Sequence, residues 1–197
     1  MFLSQMALDL TQPETQTFIH SVTYARQQIS SLFSVSFSTL LWRLDDVNGR
    51  IWLTLLSPWR PDFGPLHDKI GFQGVFPSWF IEDYTQTLEN LNTNDRYDFN
   101  ICVCPYPPEN HQLSSQHILG DIYHWFSDQS HANGFQILSI HSLNSYWRMA
   151  DQTYILYARI QGKLLITDPE LFQTVLTKGI GFAKDSGAGL MTIHQII

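Results

Sequence analysis

Two kinds of apolar spacing alternate along this chain, and both halves draw on the same set. Each opens with a strand pattern, a helix and two strands, and adds one further helix and one further strand. That order leaves few folds open, because each unit must lay its helices on one face of a small antiparallel sheet. In the first half, residues 1–10 alternate as a strand. The apolar positions Phe18, Val22, Ala25, Ile29 and Leu32 then recur at spacings of 4, 3, 4 and 3, which predicts one helix over residues 14–33. Thr11 or Thr15 is its expected cap, with Pro13 in the first turn. Strands over 37–44 and 50–56 flank Asn48-Gly49, a strong hairpin signal. Residues 57–65 are proline-rich, carry Trp59 and Arg60, and read as a loop. A strand near 70–76 and a short helix near 78–91 complete the unit.

Residues 90–95 are polar and mark the expected boundary between domains at 1–92 and 93–197. Beyond them residues 96–104 alternate as a strand, and 105–110 read as a loop. Residues 114–132 read as a helix with Ile118, Ile122, Trp125 and Phe126 on one side. Strands follow over 135–146 and 153–166, Asp168-Pro169 opens a helix to 177, and 190–196 is the last strand. The expected fold class is therefore α+β, two ferredoxin-like (RRM-like) domains in tandem.

One stretch fits neither pattern. Gly179, Gly181, Gly187 and Gly189 are four glycines within eleven positions, and Lys184 lies among them. Glycine contributes nothing to a core, so such a cluster marks positive φ or a close approach of the backbone to something else. Two explanations stand: a tight connection between a helix and a strand, or a nest of N–H groups that cradles an anion such as phosphate, with Lys178 and Lys184 adding charge. The run is neither a Walker loop nor a dinucleotide-binding loop.

Charge sets a limit on the second explanation. Eleven basic and eighteen acidic residues give a net charge of −7, and neither half is basic. Nucleic-acid binders normally carry a basic footprint, so any RNA contact must be local or shared with partner proteins. Cys102 and Cys104 share one strand face, at a spacing that does not suit a disulfide, and imply a reduced, cytosolic setting. His111, His117, His124 and His131 form a stripe better suited to solvent or a partner than to a metal, and no cofactor or zinc site is expected. The first residues do not form a signal peptide, and no apolar run approaches the ~20 residues of a membrane span.

The segment Gly179-Ile180-Gly181-Phe182-Ala183-Lys184-Asp185-Ser186-Gly187-Ala188-Gly189-Leu190 resembles the carboxy-terminal glycine loop of the CasE family, which reads roughly G-I-G-x-A-K-x-x-G-x-G-L. The preceding Gly162 to Phe172 and the opening Met1-Phe2-Leu3-Ser4 are also similar. CasE proteins are the repeat-cutting endoribonucleases of type I-E CRISPR Cascade complexes and are built from tandem ferredoxin-like domains. The resemblance implies a repeat-hairpin RNA and the other subunits of a Cascade-like effector complex as partners. It also implies metal-independent cleavage, in which a 2′-hydroxyl attacks the adjacent phosphate and leaves a 2′,3′-cyclic end. A divergent member that has lost cleavage would instead cap the RNA end or serve as a protein scaffold.

The family's catalytic histidine, often helped by a tyrosine, lies in the first helix. Histidine suits that task because its pKa is near 6.5. Alignment from the amino terminus places His20 there, with Tyr24 one turn on. Alignment on Leu32-Phe33 instead places Arg26 at the histidine and Thr23 at the tyrosine. Arginine binds phosphate but stays charged and cannot transfer a proton. The family's arginine-rich strand has become Asp98, Asn100 and Cys102 here. Arg148 and Arg159 are the remaining candidates for an RNA groove, beside Arg26 and the loop residues Lys178, Gly179, Gly181, Lys184, Gly187 and Gly189.

Overall fold

A computed structural model describes residues 1–35, 40–74, 78–108, 118–150 and 153–195. The order is β1 (Phe2–Ala7), α1 (Pro13–His20), α2 (Val22–Ser30), β2 (Leu41–Val47), β3 (Arg50–Ser57), α3 (Gly64–Ile70), β4 (Trp79–Asp83) and α4 (Thr85–Glu89). It continues with β5 (Arg96–Val103), α5 (Ile118–Ala132), β6 (Phe135–Ala150), β7 (Thr153–Ile166), α6 (Pro169–Lys178), a 3-10 turn over Lys184–Ser186 and β8 (Met191–Gln195). The strands form two antiparallel sheets, ordered β2-β3-β1-β4 and β6-β7-β5-β8. Both carry the ferredoxin-like order, so the tandem α+β arrangement expected from the pattern is present.

The local rules explain most of the elements. Asn48 and Gly49 both have positive φ, 55° and 77°, as a two-residue hairpin turn requires. The Asp168 carboxylate accepts from the N–H groups of Glu170 and Leu171 and caps α6, with Pro169 in the first turn.

Three expectations need correction. The helix over 14–33 is two helices. Ser21 between them is extended (φ −112°, ψ 111°), and its hydroxyl caps the second by accepting from the Tyr24 N–H. The apolar spacing runs unbroken through the join because both helices face the same core. The cap of α1 is Gln12 rather than Thr11 or Thr15; Thr15 is buried within the helix, and Thr11 bonds Asp9. The strand expected over 70–76 and the helix over 78–91 are displaced. Pro65 starts α3 from inside the supposed loop, and β4 occupies the start of the supposed helix. Parts of four further readings, the strands from 37 and to 196 and the helix from 114 with His111 and His117, lie outside the described residues.

Each sheet has a face covered by helices. In the first unit Met6, Trp42, Leu53 and Leu55 pack with Phe18, Ala25 and Ile29. In the second, Phe99, Ile101 and Val103 pack with Phe126, Phe135 and Phe172. The other faces turn toward each other. Leu3, Leu41 and Leu56, one cross-strand row of the first sheet, join the core of the second unit.

Between these faces lies a buried polar cluster. Arg43 on β2 is 2% exposed. Its Nε donates to both carboxylate oxygens of Asp45, at 2.9 and 2.8 Å. Its Nη1 donates to the carbonyls of Asn100 (3.0 Å) and Leu190 (2.9 Å), and Nη2 to the Thr192 hydroxyl (2.8 Å). Asp45 also accepts from the Thr54 hydroxyl at 2.9 Å and lies 3.7 Å from Arg159. One guanidinium thus ties β2 to β5 and β8.

Two predictions follow from this packing. Arg43→Ala strands a buried carboxylate and is expected to lower the unfolding free energy by about 3–5 kcal/mol, with Arg43→Lys intermediate, measured as a shift of the urea midpoint. The second concerns pH. Burial pushes the Cys104 thiol up to about 11 from its ordinary 9.0 and moves Cys102 and the phenols of Tyr84, Tyr146 and Tyr157 the same way. Above pH 9.0 the unfolded chain releases these protons and the native chain keeps them, so stability should fall as pH rises from 9 toward 11. Lys184, lowered by its burial, acts in the opposite sense as one group against several. Urea titrations at pH 8 and 10.5 measure the net loss.

Candidate nucleic-acid interface

The glycine loop leaves α6 and crosses the junction of the two units before entering β8. All four of its glycines have positive φ: 72°, 84°, 88° and 86° for Gly179, Gly181, Gly187 and Gly189. Close packing adds to the backbone requirement. A Cβ on Gly181 would stand 2.7 Å from the Cys104 carbonyl, and one on Gly187 would stand 3.1 Å from the Trp42 ring. Three of the loop's N–H groups turn inward. Phe182 N–H bonds the Cys104 carbonyl at 2.9 Å, Gly189 N–H the Cys102 carbonyl at 2.6 Å, and Ile180 N–H the Gly189 carbonyl at 3.2 Å. Side chains from both units hold its outer turn. The Trp42 indole on β2 donates to the Asp185 carbonyl at 3.2 Å, and the Tyr157 hydroxyl on β7 donates to the Ser186 carbonyl at 2.7 Å. The run is therefore a clamp between units. Packing against Cys104 and Trp42 accounts for Gly181 and Gly187, in keeping with the first of the two explanations that their spacing left open.

Cationic groups gather where the clamp meets α1 and α2. Arg26 on α2 pairs with Asp185 of the loop at 3.4 Å, both side chains more than half exposed. Lys184, next in the loop, is half-buried. Arg148 on β6 reaches across to the first unit, where Nη2 donates to the Ile19 carbonyl at 2.5 Å and the guanidinium lies 6.0 Å from the Trp42 ring centre. Arg26, Lys184 and Arg148 thus come from three distant segments to one junction, with Asp185 the carboxylate among them. Such a cluster can hold phosphate by charge and by forked N–H donors.

The other candidates are placed differently. His20 ends α1 and is exposed, one residue beyond the carbonyl that Arg148 grips. Tyr24 is half-buried against the first core. The break at Ser21 means that His20 and Tyr24 do not share one helical face, contrary to the i, i+4 expectation. Arg159 lies apart from that junction: it donates to the Leu44 carbonyl and lies against Asp45, 21% exposed, beside the buried cluster. Lys178 is an exposed last residue of α6. The segment that replaces the family's arginines has turned inward too, with Cys102 buried and the Asn100 carbonyl accepting from Arg43.

Sequence reading missed Arg43, Trp42 and Asp185. Arg43 and Asp45 did carry a signal: they are charges at i and i+2 on one face of a strand, alternating with the apolar Trp42 and Leu44.

The family model described as "CRISPR associated protein" matches residues 1–195. No curated protein matches the sequence. Among solved structures, Thermus thermophilus Cse3, bound to an RNA representing a pre-cleavage complex, superposes with a TM-score of 0.77 at 18% identity, over 98% of each chain. The CRISPR-associated protein Cas6e from Escherichia coli K-12 superposes at 0.65 and 15% identity, over the whole of both chains. A chain of a CRISPR RNA-guided surveillance complex superposes at 0.62 and 16% identity, again over both whole chains. At these identities the likeness is one of fold.

The clamp makes its own prediction. Gly187→Ala places a methyl against Trp42 at a φ that disfavours side chains, and should lower stability by about 1–3 kcal/mol. A changed tryptophan emission spectrum would report displacement of the indole, and an unchanged spectrum and urea midpoint would count against the clamp.

Proposed function

The chain belongs to the CRISPR-associated protein family whose model spans nearly all of it, and on that premise we propose that it binds a CRISPR repeat RNA at the junction of its two units. It holds that RNA as a subunit of a Cascade-like effector complex. The observation that carries this reading is Arg26 beside the glycine loop, in the family's histidine position when the helix is aligned on Leu32-Phe33. A guanidinium there grips phosphate and cannot accept the 2′-hydroxyl proton at neutral pH. Retention of the glycine loop does not speak for cleavage, because packing of Gly181 and Gly187 accounts for it. The chain's net charge of −7 fits a protein that grips RNA at one spot and leaves the rest of its surface to other subunits.

A second reading keeps cleavage. It is favoured by the exposure of His20, which follows the residue whose carbonyl Arg148 holds. In that case His20 would relay the proton while Arg148, Arg26 and Lys184 hold the phosphate, with no metal in the step.

Incubation with repeat RNA in EDTA, beside a binding titration, separates the two. Binding without cleavage is the expected outcome. Arg26→Ala should weaken binding about equally for all repeat sequences and lower the salt slope by about one, whereas His20→Ala should leave binding unchanged. A cyclic-phosphate product that disappears in His20→Ala would replace the holding reading with the cutting one. Failure of any RNA to bind would remove both.

A further inference from the structure

Away from the glycine loop, the same two helix-free faces open into a cavity of about 350 Å³. Gln5, Trp52 and Phe80 line it from the first sheet, and Asn100, Thr192 and His194 from the second. Trp52 on β3 and Phe80 on β4 lie across β1, with ring centres 6.5 Å apart and planes tilted by 53°. Phe80 is 48% exposed. The floor is the Arg43–Asp45 pair, with Arg159 beside Asp45, so two guanidiniums stand against one carboxylate. Two polar atoms of this floor, Asn100 Oδ1 and Arg159 Nε, are buried with no hydrogen-bond partner among the described residues.

These walls have a recognisable chemistry. The aromatic pair offers a stacking surface, and amide, hydroxyl and imidazole groups stand opposite it. The walls carry no exposed lysine or arginine, so they are not built for a phosphate backbone. The slight excess of positive charge beneath them attracts carbonyl oxygens and ring nitrogens. A flat solute with apolar faces and hydrogen-bonding edges fits this description, and the volume suits one nucleoside.

We propose that this cavity binds one unpaired nucleobase of an RNA strand, stacked on Trp52 and Phe80 with its edge toward Gln5, Asn100 and His194. Sheets of this class take single-stranded bases on aromatic side chains in just this manner. The site deepens the RNA-binding reading above and rests on it. It would let the protein hold a paired stem at the Arg26 junction and a single-stranded flank at the sheet cleft.

The test compares two RNAs in gel-shift titrations: the repeat hairpin alone, and the hairpin carrying four unpaired nucleotides at either end. The flank is expected to tighten binding about tenfold. Phe80→Ala should abolish that gain and leave the hairpin affinity unchanged. A 5-iodouridine in the flank should crosslink under ultraviolet light to the peptide that carries Trp52 or Phe80, as read by mass spectrometry. Hairpin binding with no gain from either flank would overturn the site and leave the RNA reading standing, as would a gain that survives Phe80→Ala. If Phe80→Ala leaves both RNAs unaffected and instead weakens association with a partner subunit, the aromatic pair faces protein and the proposal fails. Loss of hairpin binding itself would remove the RNA reading, and this site with it.

Discussion

The Arg43–Asp45 pair is the interaction on which the arrangement of the two units depends. A guanidinium that is 2% exposed has no water to fall back on, so each of its donors must be met by protein. The partners come from β2, β5 and β8 at once. They can be met only if the two helix-free faces take one relative position. Apolar contacts of Leu3, Leu41 and Leu56 supply attraction between the faces but little direction. The ion pair, with Thr54, Asn100 and Thr192 around it, supplies the direction.

That single position creates two places between the units. At one end the glycine loop closes over the edge of β2 and is held by Trp42 and Tyr157. There Arg26, Lys184 and Arg148 meet, although each comes from a different segment. At the other end the faces diverge and leave the cleft with Trp52 and Phe80 at its wall. A charge of −7 counted over the whole chain conceals this arrangement, because a sum does not register three cations gathered at one junction. The exposed Asp185 carboxylate within that group pairs with Arg26 and partly offsets its charge.

The fold was readable from periodicity wherever an element is long and faces one core. β5, β7 and α6 lie within about two residues of their expected bounds, and the Asn48-Gly49 turn and the Asp168 cap are where local chemistry put them. Reading failed where a local bond competes with spacing. Ser21 interrupts a continuous apolar stripe because its hydroxyl satisfies the Tyr24 N–H, an event that the stripe itself does not register. Pro65 likewise starts a helix inside a stretch whose prolines resemble a loop. The candidate site was legible in part. The glycine run identified the family and its loop, and Arg26 was in view as the alternative to His20.

By itself the sequence determined the family and the tandem ferredoxin-like order, because those rest on short-range spacing and on a local glycine motif. It also determined that four loop residues must be glycine, since positive φ is a property of the backbone at each position. Tertiary structure alone showed what Gly181 and Gly187 pack against, because Cys104 and Trp42 lie far away in the chain. It set Arg159 against Leu44 and Asp45 and Arg26 at the loop, since burial and pairing of a charge are fixed by what the other unit brings to it. Periodicity records which side of a strand is covered. It carries no information about what the opposite faces meet, and here they meet around the buried Arg43–Asp45 pair.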